Sequence, residues 1–413
     1  MVPTSREEFT PWAPLVPIGD TASMAQPQVP ALVAFWRRVR EDILTVRPES
    51  RERLDKHARS SSALTDELHA VLSKPLSIPM LQELHVLATR DQTAARVILH
   101  DGSFRYVPFP YGKLKDKPNH LSVGGKVVCE FCPPERVVAE LEVLLAEHER
   151  LPESMVDVRS AWLVHAFLQV HPFVDGNGRV SRLLANWNLI RAGLPPVWGE
   201  STERGSGWAD ALEVAAKTND LAPVTRLLAG HQERLVSRLL LLAESPQPDT
   251  TIEQVLAHGA TLGVLRAKWS DHAAGMRERI AGLVTIAQAG LQQVEAQLGD
   301  RLEVVVETGA TEKLWRQATE SGVTADRHEP GALITLTARS PRTRIQIGLA
   351  ALGTSGSGAW TAFVRVRPRS TLPIQVPPLM MLPEESDAAR TARFELWLDR
   401  ALTDAVGSWI RIA

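Results

Sequence analysis

The chain of 413 residues is poor in cysteine, in net charge and in long apolar runs. Two cysteines, Cys129 and Cys132, cannot build a disulfide framework, and a zinc site would need two more ligands, with His120 the only other candidate close in sequence. We therefore expect reduced, structural thiols in a cytoplasmic protein. A net charge of −2 gives no general reason to expect nucleic acid or an acidic membrane as a partner. No apolar run is long enough to predict a membrane span or a secretory signal.

The length of the chain allows two or three domains. Six prolines in residues 1–30 indicate an extended lead, and residues 31–100 have a helical pattern. The segment Ala243–Asp249 has the composition of a linker. Residues 250–413 change character and are expected to form an α+β accessory domain.

Within this C-terminal domain, helices are predicted from about 251 to 298 and again near 387–406. Four segments have the β-branched content and the alternation of strands: Leu302–Glu307, Ala332–Ala338, Arg344–Leu352 and Trp360–Arg367. The glycine-rich run Gly353–Gly358 joins the last two and is predicted to be a hairpin turn, because no helix follows it. Five arginines are interpreted as a solvated strand face: Arg342, Arg344, Arg365, Arg367 and Arg369.

The most informative stretch is the run His171–Arg182, which reads His-Pro-Phe-Val-Asp-Gly-Asn-Gly-Arg-Val-Ser-Arg. Apolar residues over Met155–Val170 have helical spacing, and Pro172 disfavours helix in the residue before it. Helical spacing resumes over Val180–Ile190 and ends at Gly193. The pattern therefore predicts a helix, a tight turn that carries the run, and a second helix.

The start of the second helix has the residues of a phosphate-binding nest. Helix N-termini offer unpaired N–H groups and a partial positive charge. Gly176 and Gly178 allow positive φ and close backbone approach, and Asn177 can add a side-chain donor. Arg179 and Arg182 are i, i+3 neighbours that can reach one polyphosphate. We expect these five residues to bind a nucleotide.

The same turn has a candidate base and a candidate metal ligand. Asp175 lies at the rim of the nest, and Mg²⁺ needs only one or two carboxylates besides substrate phosphates. His171 is the natural general base, because its ordinary pKa lies near neutrality. Phe173 is expected to anchor the turn in the core. His165 is interpreted as a core histidine or a support for the site.

This run resembles the signature of the Fic (Fic/Doc) family, His-Pro-Phe-x-Asp-Gly-Asn-Gly-Arg-x-x-Arg, at every specified position. The likeness extends over roughly residues 31–240, through Ala161–Phe167 before the motif and Arg191–Pro196 after it. It implies a mainly α fold: a Fic helical core at 101–240 with a short β-hairpin flap, followed by the C-terminal α+β accessory domain.

The resemblance implies transfer of AMP from ATP to a Ser, Thr or Tyr hydroxyl of a target protein, with release of pyrophosphate. His171 would be the general base, Asp175 the Mg²⁺ ligand and Gly176–Gly178 the anion hole. Arg179 and Arg182 would hold the outer phosphates. Two alternatives stay open: the same fold with another nucleotide donor, and a catalytically silent Fic scaffold or interaction module.

Two further family elements have counterparts. Residues 104–134 occupy the place of the flap, which holds the target protein by strand addition. The inhibitory helix, Ser/Thr-x-x-x-Glu-Gly/Asn, has a degenerate counterpart at residues 61–66, where Thr65 replaces the glutamate. Asp66 or Glu67 could substitute, a separate protein could inhibit, or this restraint could be missing. The resemblance is also compatible with self-modification and with a homodimer.

Overall fold

The structure is a computed structural model, which describes residues 11–18, 28–48, 50, 68, 71–98, 104–123, 126–197, 207–244, 252–298, 302–309, 312–321, 323, 325–326, 331–338, 344–353, 356–367, 376 and 378–410. Its α-helices are α1 (Gln28–Val46), α2 (Ile78–Thr89), α3 (Val137–Arg150), α4 (Val156–Val170), α5 (Asn177–Arg191), α6 (Trp208–Thr218), α7 (Ala222–Glu244), α8 (Ile252–Lys268), α9 (Ser270–Leu298), α10 (Glu312–Glu320) and α11 (Asp387–Ile410). Its strands are β1 (Ala94–Ile98), β2 (Phe104–Pro108), β3 (His120–Val123), β4 (Lys126–Glu130), β5 (Leu302–Gly309), β6 (Gly331–Ala338), β7 (Arg344–Ala351), β8 (Trp360–Arg367) and β9 (Leu379–Met381). The expected mainly α fold with a C-terminal α+β part is confirmed.

The chain divides into two compact units, and the division does not follow chain order. Unit 1 comprises Met1–Pro30 and Asp55–Leu235, whereas unit 2 comprises Ala31–Leu54 and Val236–Ala413. The region 31–100, predicted as one helical stretch, is therefore shared between the two units. None of the helices within the described residues is long and apolar enough to span a membrane.

From Ala31 onward, helix α1 belongs to unit 2, and polar bonds connect it to the α8–α9 junction. The Asp42 carboxylate accepts a 2.7 Å hydrogen bond from Trp269 Nε1 and pairs with Lys268 Nζ at 2.5 Å. Burial raises the pKa of Asp42, but the bonds from Lys268 and Trp269 outweigh burial and leave it below its usual value. The indole of Trp269 is itself buried, so the bond satisfies a donor that water does not reach.

The centre of unit 1 is helix α4, which packs against α3 and α5. Most of its residues are buried, as expected for a helix that is apolar on nearly every face. Trp162 is fully buried, and its Nε1 donates to the carbonyl of Leu144 on α3 at 3.0 Å. Helix α5 also packs against α2. These contacts bring the end of α4, the start of α5 and the end of α2 to one place.

Two antiparallel hairpins complete the described part of unit 1. In β3–β4, His120 lies opposite Glu130, with a register shift between Leu121 and Ser122. This hairpin falls within the predicted flap, 104–134. Strand β2, from the same segment, instead pairs with β1, and Ala94 lies opposite Pro108. The helical pattern predicted through residue 100 was therefore wrong over β1.

Unit 2 contains a five-stranded antiparallel sheet in the order β5-β6-β7-β8-β9. The four predicted strands are confirmed as β5 to β8, and the predicted final helix is α11. Strands β7 and β8 pair antiparallel as the predicted hairpin, and Leu352 N donates to Ala359 O at 2.8 Å. Strand β9 was not predicted, because three residues are too few for an alternation pattern.

One face of this sheet packs against α9 and α11 through a large apolar cluster. Its buried members include Met276, Leu283, Leu291, Ile334, Ile347, Trp360, Phe394 and Trp397. On the other face, Arg365 is half-buried and pairs with Glu320 of α10. The expected solvated arginine face is therefore wrong at Arg365, because α10 covers it. Arg342 and Arg369 lie outside the described residues, whereas Arg344 is exposed.

Candidate active site

The turn between α4 and α5 has an unusual backbone at both ends. His171 ends α4 in the left-handed region, with φ 51° and ψ 59°, and its N–H donates to Phe167 O at 2.9 Å. Gly176, the N-cap residue of α5, has φ 86°. A left-handed conformation at a non-glycine residue costs about 1–3 kcal/mol and is often found at functional sites. The predicted helix, turn and helix are confirmed.

The side chain of Asn177 closes this turn. Its Oδ1 accepts from Phe173 N at 3.0 Å and its Nδ2 donates to Phe173 O at 2.8 Å. The side chain is buried, at 1% exposure. We expected Asn177 to donate to a bound anion, but in this structure its amide is engaged by the Phe173 backbone. The Asn177 side chain therefore supports the turn that precedes the N-terminus of α5.

The two glycines of the motif serve different purposes. A Cβ on Gly176 would lie 2.6 Å from Thr89 Cγ2 and 3.2 Å from His85 Nε2, so α2 packs directly on the turn. Gly178 lies within α5 and does not have the positive φ that we allowed for it. A Cβ there would meet only Arg182 Nη1, at an ordinary 3.8 Å. Gly178 thus leaves the mouth of the nest open, and the Arg182 guanidinium reaches back toward it.

His171 is oriented on two sides. Its Nδ1 lies 3.2 Å from Leu168 O, and its ring stacks on Phe131 at a centroid distance of 3.7 Å and an interplanar angle of 9°. A carbonyl accepts only from a protonated nitrogen, so Nδ1 carries the proton and Nε2 keeps its lone pair. Burial lowers the pKa of His171 to about 4. The imidazole is therefore neutral near pH 7, as a general base must be.

Asp175 and Arg179 face the end of α2, where Gln92 lies between them. Asp175 Oδ1 accepts from Gly176 N at 2.6 Å, and its Oδ2 accepts from Gln92 Nε2 at 2.6 Å. Arg179 donates to Ala88 O at 3.1 Å and to Gln92 Oε1. We expected Arg179 and Arg182 to reach one polyphosphate; here Arg179 reaches α2, whereas Arg182 lies near Gly178.

His85 of α2 holds the motif against the loop that leads to the flap. Its ring stacks on Phe173 at 3.9 Å, its Nε2 lies 2.9 Å from Asp175 O, and its Nδ1 accepts from Gly112 N at 2.9 Å. An Nδ1 that accepts leaves the proton on Nε2, which donates to Asp175 O. Burial lowers the pKa of His85, consistent with this neutral form. Phe173 is fully buried, which confirms its predicted role as an anchor.

Lys115 and Asn119 attach the segment before β3 to the same turn. Lys115 N donates to Pro172 O at 2.8 Å, and its Nζ donates to Asn119 Oδ1 at 2.6 Å. Asn119 Nδ2 donates to Phe173 O at 3.1 Å. Burial lowers the pKa of Lys115 to about 8. The flap segment and the motif are thus joined at the base of the hairpin.

The sequence reasoning missed His85, Thr89 and Gln92. Their i, i+4, i+7 spacing places these polar side chains on one face of α2 and just beyond its end. This spacing is the signal that could have revealed them. The interpretation of His165 as a core residue is confirmed, since it is buried and burial lowers its pKa to about 4. The inhibitory-like segment 61–66 lies outside the described residues.

The cysteines are free, as expected. Burial raises the pKa of the Cys132 thiol to about 11, so it stays protonated near neutrality. Within the described residues, no group of three or more His, Cys, Asp or Glu side chains is arranged to hold a metal ion. A metal at the turn would depend on Asp175 together with ligands from a bound substrate.

These features define a helical domain in which a neutral histidine lies beside the N-terminus of a helix. Residues 75–189 match the model of the Fic/DOC family. This stretch of the chain is therefore similar to the Fic/DOC family.

Relatives include a protein adenylyltransferase Fic of Drosophila ananassae, which is 38% identical over 136 residues, or 32% of this chain and 25% of the relative. The enzyme of the same name from Drosophila mojavensis is 33% identical over 160 residues, or 37% of this chain and 30% of the relative. This chain thus spans less than a third of either relative.

Two solved structures are also similar. A signaling protein with a Fic domain from Bacteroides thetaiotaomicron is 17% identical, with a TM-score of 0.39, over 52% of this chain and 99% of that one. Fic-1 of C. elegans, residues 134–508, is 25% identical, with a TM-score of 0.32, over 44% of this chain and 49% of that one.

Proposed function

We propose that this protein transfers AMP from ATP to a hydroxyl side chain of a target protein, with Mg²⁺ as cofactor. The observation that carries the proposal is a neutral His171, with Nε2 as its free base, beside the N-terminus of α5. Relatives that cover part of the chain are named protein adenylyltransferases, which supports the same chemistry here.

The nest would hold the triphosphate. The first amides of α5, at Asn177 and Gly178, have no acceptor within the helix and lie at the positive end of its dipole. Arg182, whose Nη1 lies near the mouth at Gly178, supplies a guanidinium for the outer phosphates. Arg179 is half-exposed at 38% and would add a second guanidinium from the α2 side.

Asp175 fits a magnesium site that is built mainly by substrate. Its carboxylate is exposed, at 51%, and Mg²⁺ in nucleotide sites keeps several waters and takes one or two carboxylates plus phosphate oxygens. When bound, the ion would neutralise phosphate charge and orient the phosphates for in-line attack. Asp175 would hold it at the rim of the nest.

The reaction then follows from the position of His171. The target hydroxyl gives its proton to His171 Nε2 while its oxygen forms a bond to the α-phosphorus. The bond between that phosphorus and the bridging oxygen breaks, and pyrophosphate leaves with the electron pair. The Nδ1 bond to Leu168 O and the stacked Phe131 ring keep the imidazole in the orientation that this attack requires.

The β3–β4 hairpin would receive the target. Among the described strands, these two pair only with each other, so each has an edge at which an extended segment can add as a further strand. Leu121 of β3 is exposed at 38% and could contact an apolar side chain of that segment. The base of the hairpin is fixed to the motif through Lys115, so a segment held there lies close to His171.

The test is labelling of target proteins by the full chain. Incubation with ATP labelled at the α-phosphate, Mg²⁺ and a cell extract should label at least one protein, and His171→Ala should reduce the label by about 10²- to 10⁴-fold. The matched control is His272→Ala, which removes an exposed histidine of unit 2. Label that is equal for wild type and His171→Ala, or no label with wild type, would overturn the proposal. Parallel reactions with labelled UTP and GTP test the other donors.

A further inference from the structure

We infer that Gln92 is a positioning residue that couples the carboxylate of Asp175 to the guanidinium of Arg179. Gln92 follows α2 and lies outside the motif. The inference rests on the proposed function, in which these two groups serve the metal and the phosphates. According to this inference, Gln92 sets the distance between the Asp175 carboxylate and the Arg179 guanidinium.

The two charged groups do not bond directly. Arg179 Nη2 and Asp175 Oδ1 are 3.9 Å apart, which is beyond hydrogen-bond distance. Gln92 bridges them, because its Nε2 donates to Asp175 Oδ2 at 2.6 Å and its Oε1 accepts from Arg179. A neutral amide suits this place, since one end matches an anion and the other a cation. Glutamate would match only Arg179, and lysine only Asp175.

Gln92 is itself held in place by the backbone around it. Its N–H donates to Thr89 O at 2.8 Å, and its carbonyl accepts from the hydroxyl of Tyr111 at 2.5 Å. Because the backbone is already fixed, only the χ angles of Gln92 have to be ordered for the bridge to form. The two backbone bonds therefore fix the position of Gln92 beside the motif.

The bridge would persist when the site is loaded. Each carboxylate oxygen can accept more than one bond, and carboxylates that bind metals are commonly held by hydrogen bonds from neighbouring groups. With Gly176 N on Oδ1 and Gln92 on Oδ2, the Asp175 carboxylate cannot rotate freely. Loss of such supporting bonds typically weakens metal binding 10- to 100-fold.

The experiment measures binding of Mn²⁺, in place of Mg²⁺, by electron paramagnetic resonance in the presence of a non-hydrolysable ATP analogue. Gln92→Ala and the near-isosteric Gln92→Met should both weaken Mn²⁺ binding by about 10-fold or more. Because Met keeps the apolar stem, an equal loss in both variants assigns the effect to the amide. When EDTA removes the metal ion, both variants should still bind the analogue less tightly than wild type, because Gln92 no longer holds the Arg179 guanidinium in place.

The matched control is Gln82→Ala on α2. Gln82 Nε2 donates to Gly112 O at 2.7 Å, so this variant removes a comparable bond without touching Asp175. Its Mn²⁺ affinity should equal that of wild type.

Two outcomes would count against the inference. Unchanged or tighter Mn²⁺ binding in the Gln92 variants would overturn it and make Gln92 a competitor of the metal, while the proposed function stands. Wild type that binds neither Mn²⁺ nor the analogue would overturn the proposed function together with the inference.

Discussion

The two units bury polar side chains in different ways. In unit 1, helix α5 buries three asparagines: the amide of Asn177 holds Phe173, Asn186 accepts from Val197 N at 2.9 Å, and Asn188 donates to Val156 O at 2.9 Å. In unit 2, α9 and α11 meet the sheet through apolar side chains. Among the buried polar groups of unit 2, Arg390 near the start of α11 donates to Leu382 O at 3.0 Å, and Gln346 Nε2 donates to Thr335 Oγ1 at 3.2 Å within the sheet.

Apolar packing and hydrogen bonds constrain a structure in different ways. Apolar packing is non-directional and stabilises a fold in proportion to the area that it buries. Hydrogen bonds are directional, so they fix a backbone path that apolar contacts alone would leave adjustable. In unit 1, side-chain bonds to the backbone hold the turn that carries the left-handed His171. In unit 2, the packing of α9 and α11 on the sheet is mainly apolar.

The two units should differ most in how their stability changes at acidic pH. Four histidines of unit 1 have a pKa lowered by burial to about 4: His148, His165, His171 and His231. Their unfolded pKa lies near 6.5, so between pH 6.5 and 4 the unfolded chain binds more protons and stability falls as pH falls. The slope approaches about 1.4 kcal/mol per pH unit for each such histidine.

Unit 2 should respond at lower pH. The pKa of Asp42 is lowered, so the stability that it contributes is present above pH 3.8 and is lost only below that value. Hydrogen exchange read by mass spectrometry at pH 7, 6 and 5, corrected for intrinsic rates, should show α4 losing protection before β7. Equal loss in both elements would contradict the proposed difference.

A second comparison uses one glycine from each unit, with an expected loss of about 3 kcal/mol for either alanine variant. A Cβ on Gly348 would lie 2.2 Å from the Phe363 ring, and one on Gly176 would lie 2.6 Å from Thr89 Cγ2. Gly348→Ala should lower the stability of unit 2, seen by urea unfolding, and leave binding of the ATP analogue unchanged. Gly176→Ala should also weaken that binding, because it distorts the nest.

Each variant has a compensating change. Phe363→Leu should restore part of the stability of Gly348→Ala by freeing space. Thr89→Ser removes the methyl group that a Cβ on Gly176 would strike and keeps the hydroxyl, which donates to His85 O at 2.6 Å. Only part of the loss should return, because alanine at φ 86° remains strained. Full recovery would show that the backbone of Gly176 is not under constraint.

Features that depend on local interactions were predictable from the sequence. Features that depend on contacts between residues distant in the chain were not. The turn was predictable because Pro172 and Gly176 act locally, and the strands of unit 2 were predictable from alternation. Gln92 was not, because its partner Asp175 is 83 residues away. The same holds for Arg365, whose surroundings depend on where α10 packs. Local chemistry thus identified the motif, and tertiary packing identified the residues that support it.

The smallest expected effect comes from two asparagine variants of α5. Their comparison tests whether Asn177 supports the turn separately from the rest of the helix. Asn177→Ala removes both bonds to the Phe173 backbone and should cost about 2 kcal/mol. Asn186→Ala on the same helix leaves Val197 N without its acceptor and should cost about 1–2 kcal/mol. Both losses are read by urea unfolding. Only Asn177→Ala should shift the His171 imidazole signals in an NMR spectrum, because the backbone of Phe173 is two residues away from it. Equal shifts in both variants would mean that α5 holds the turn as a whole and that Asn177 has no separate part in it.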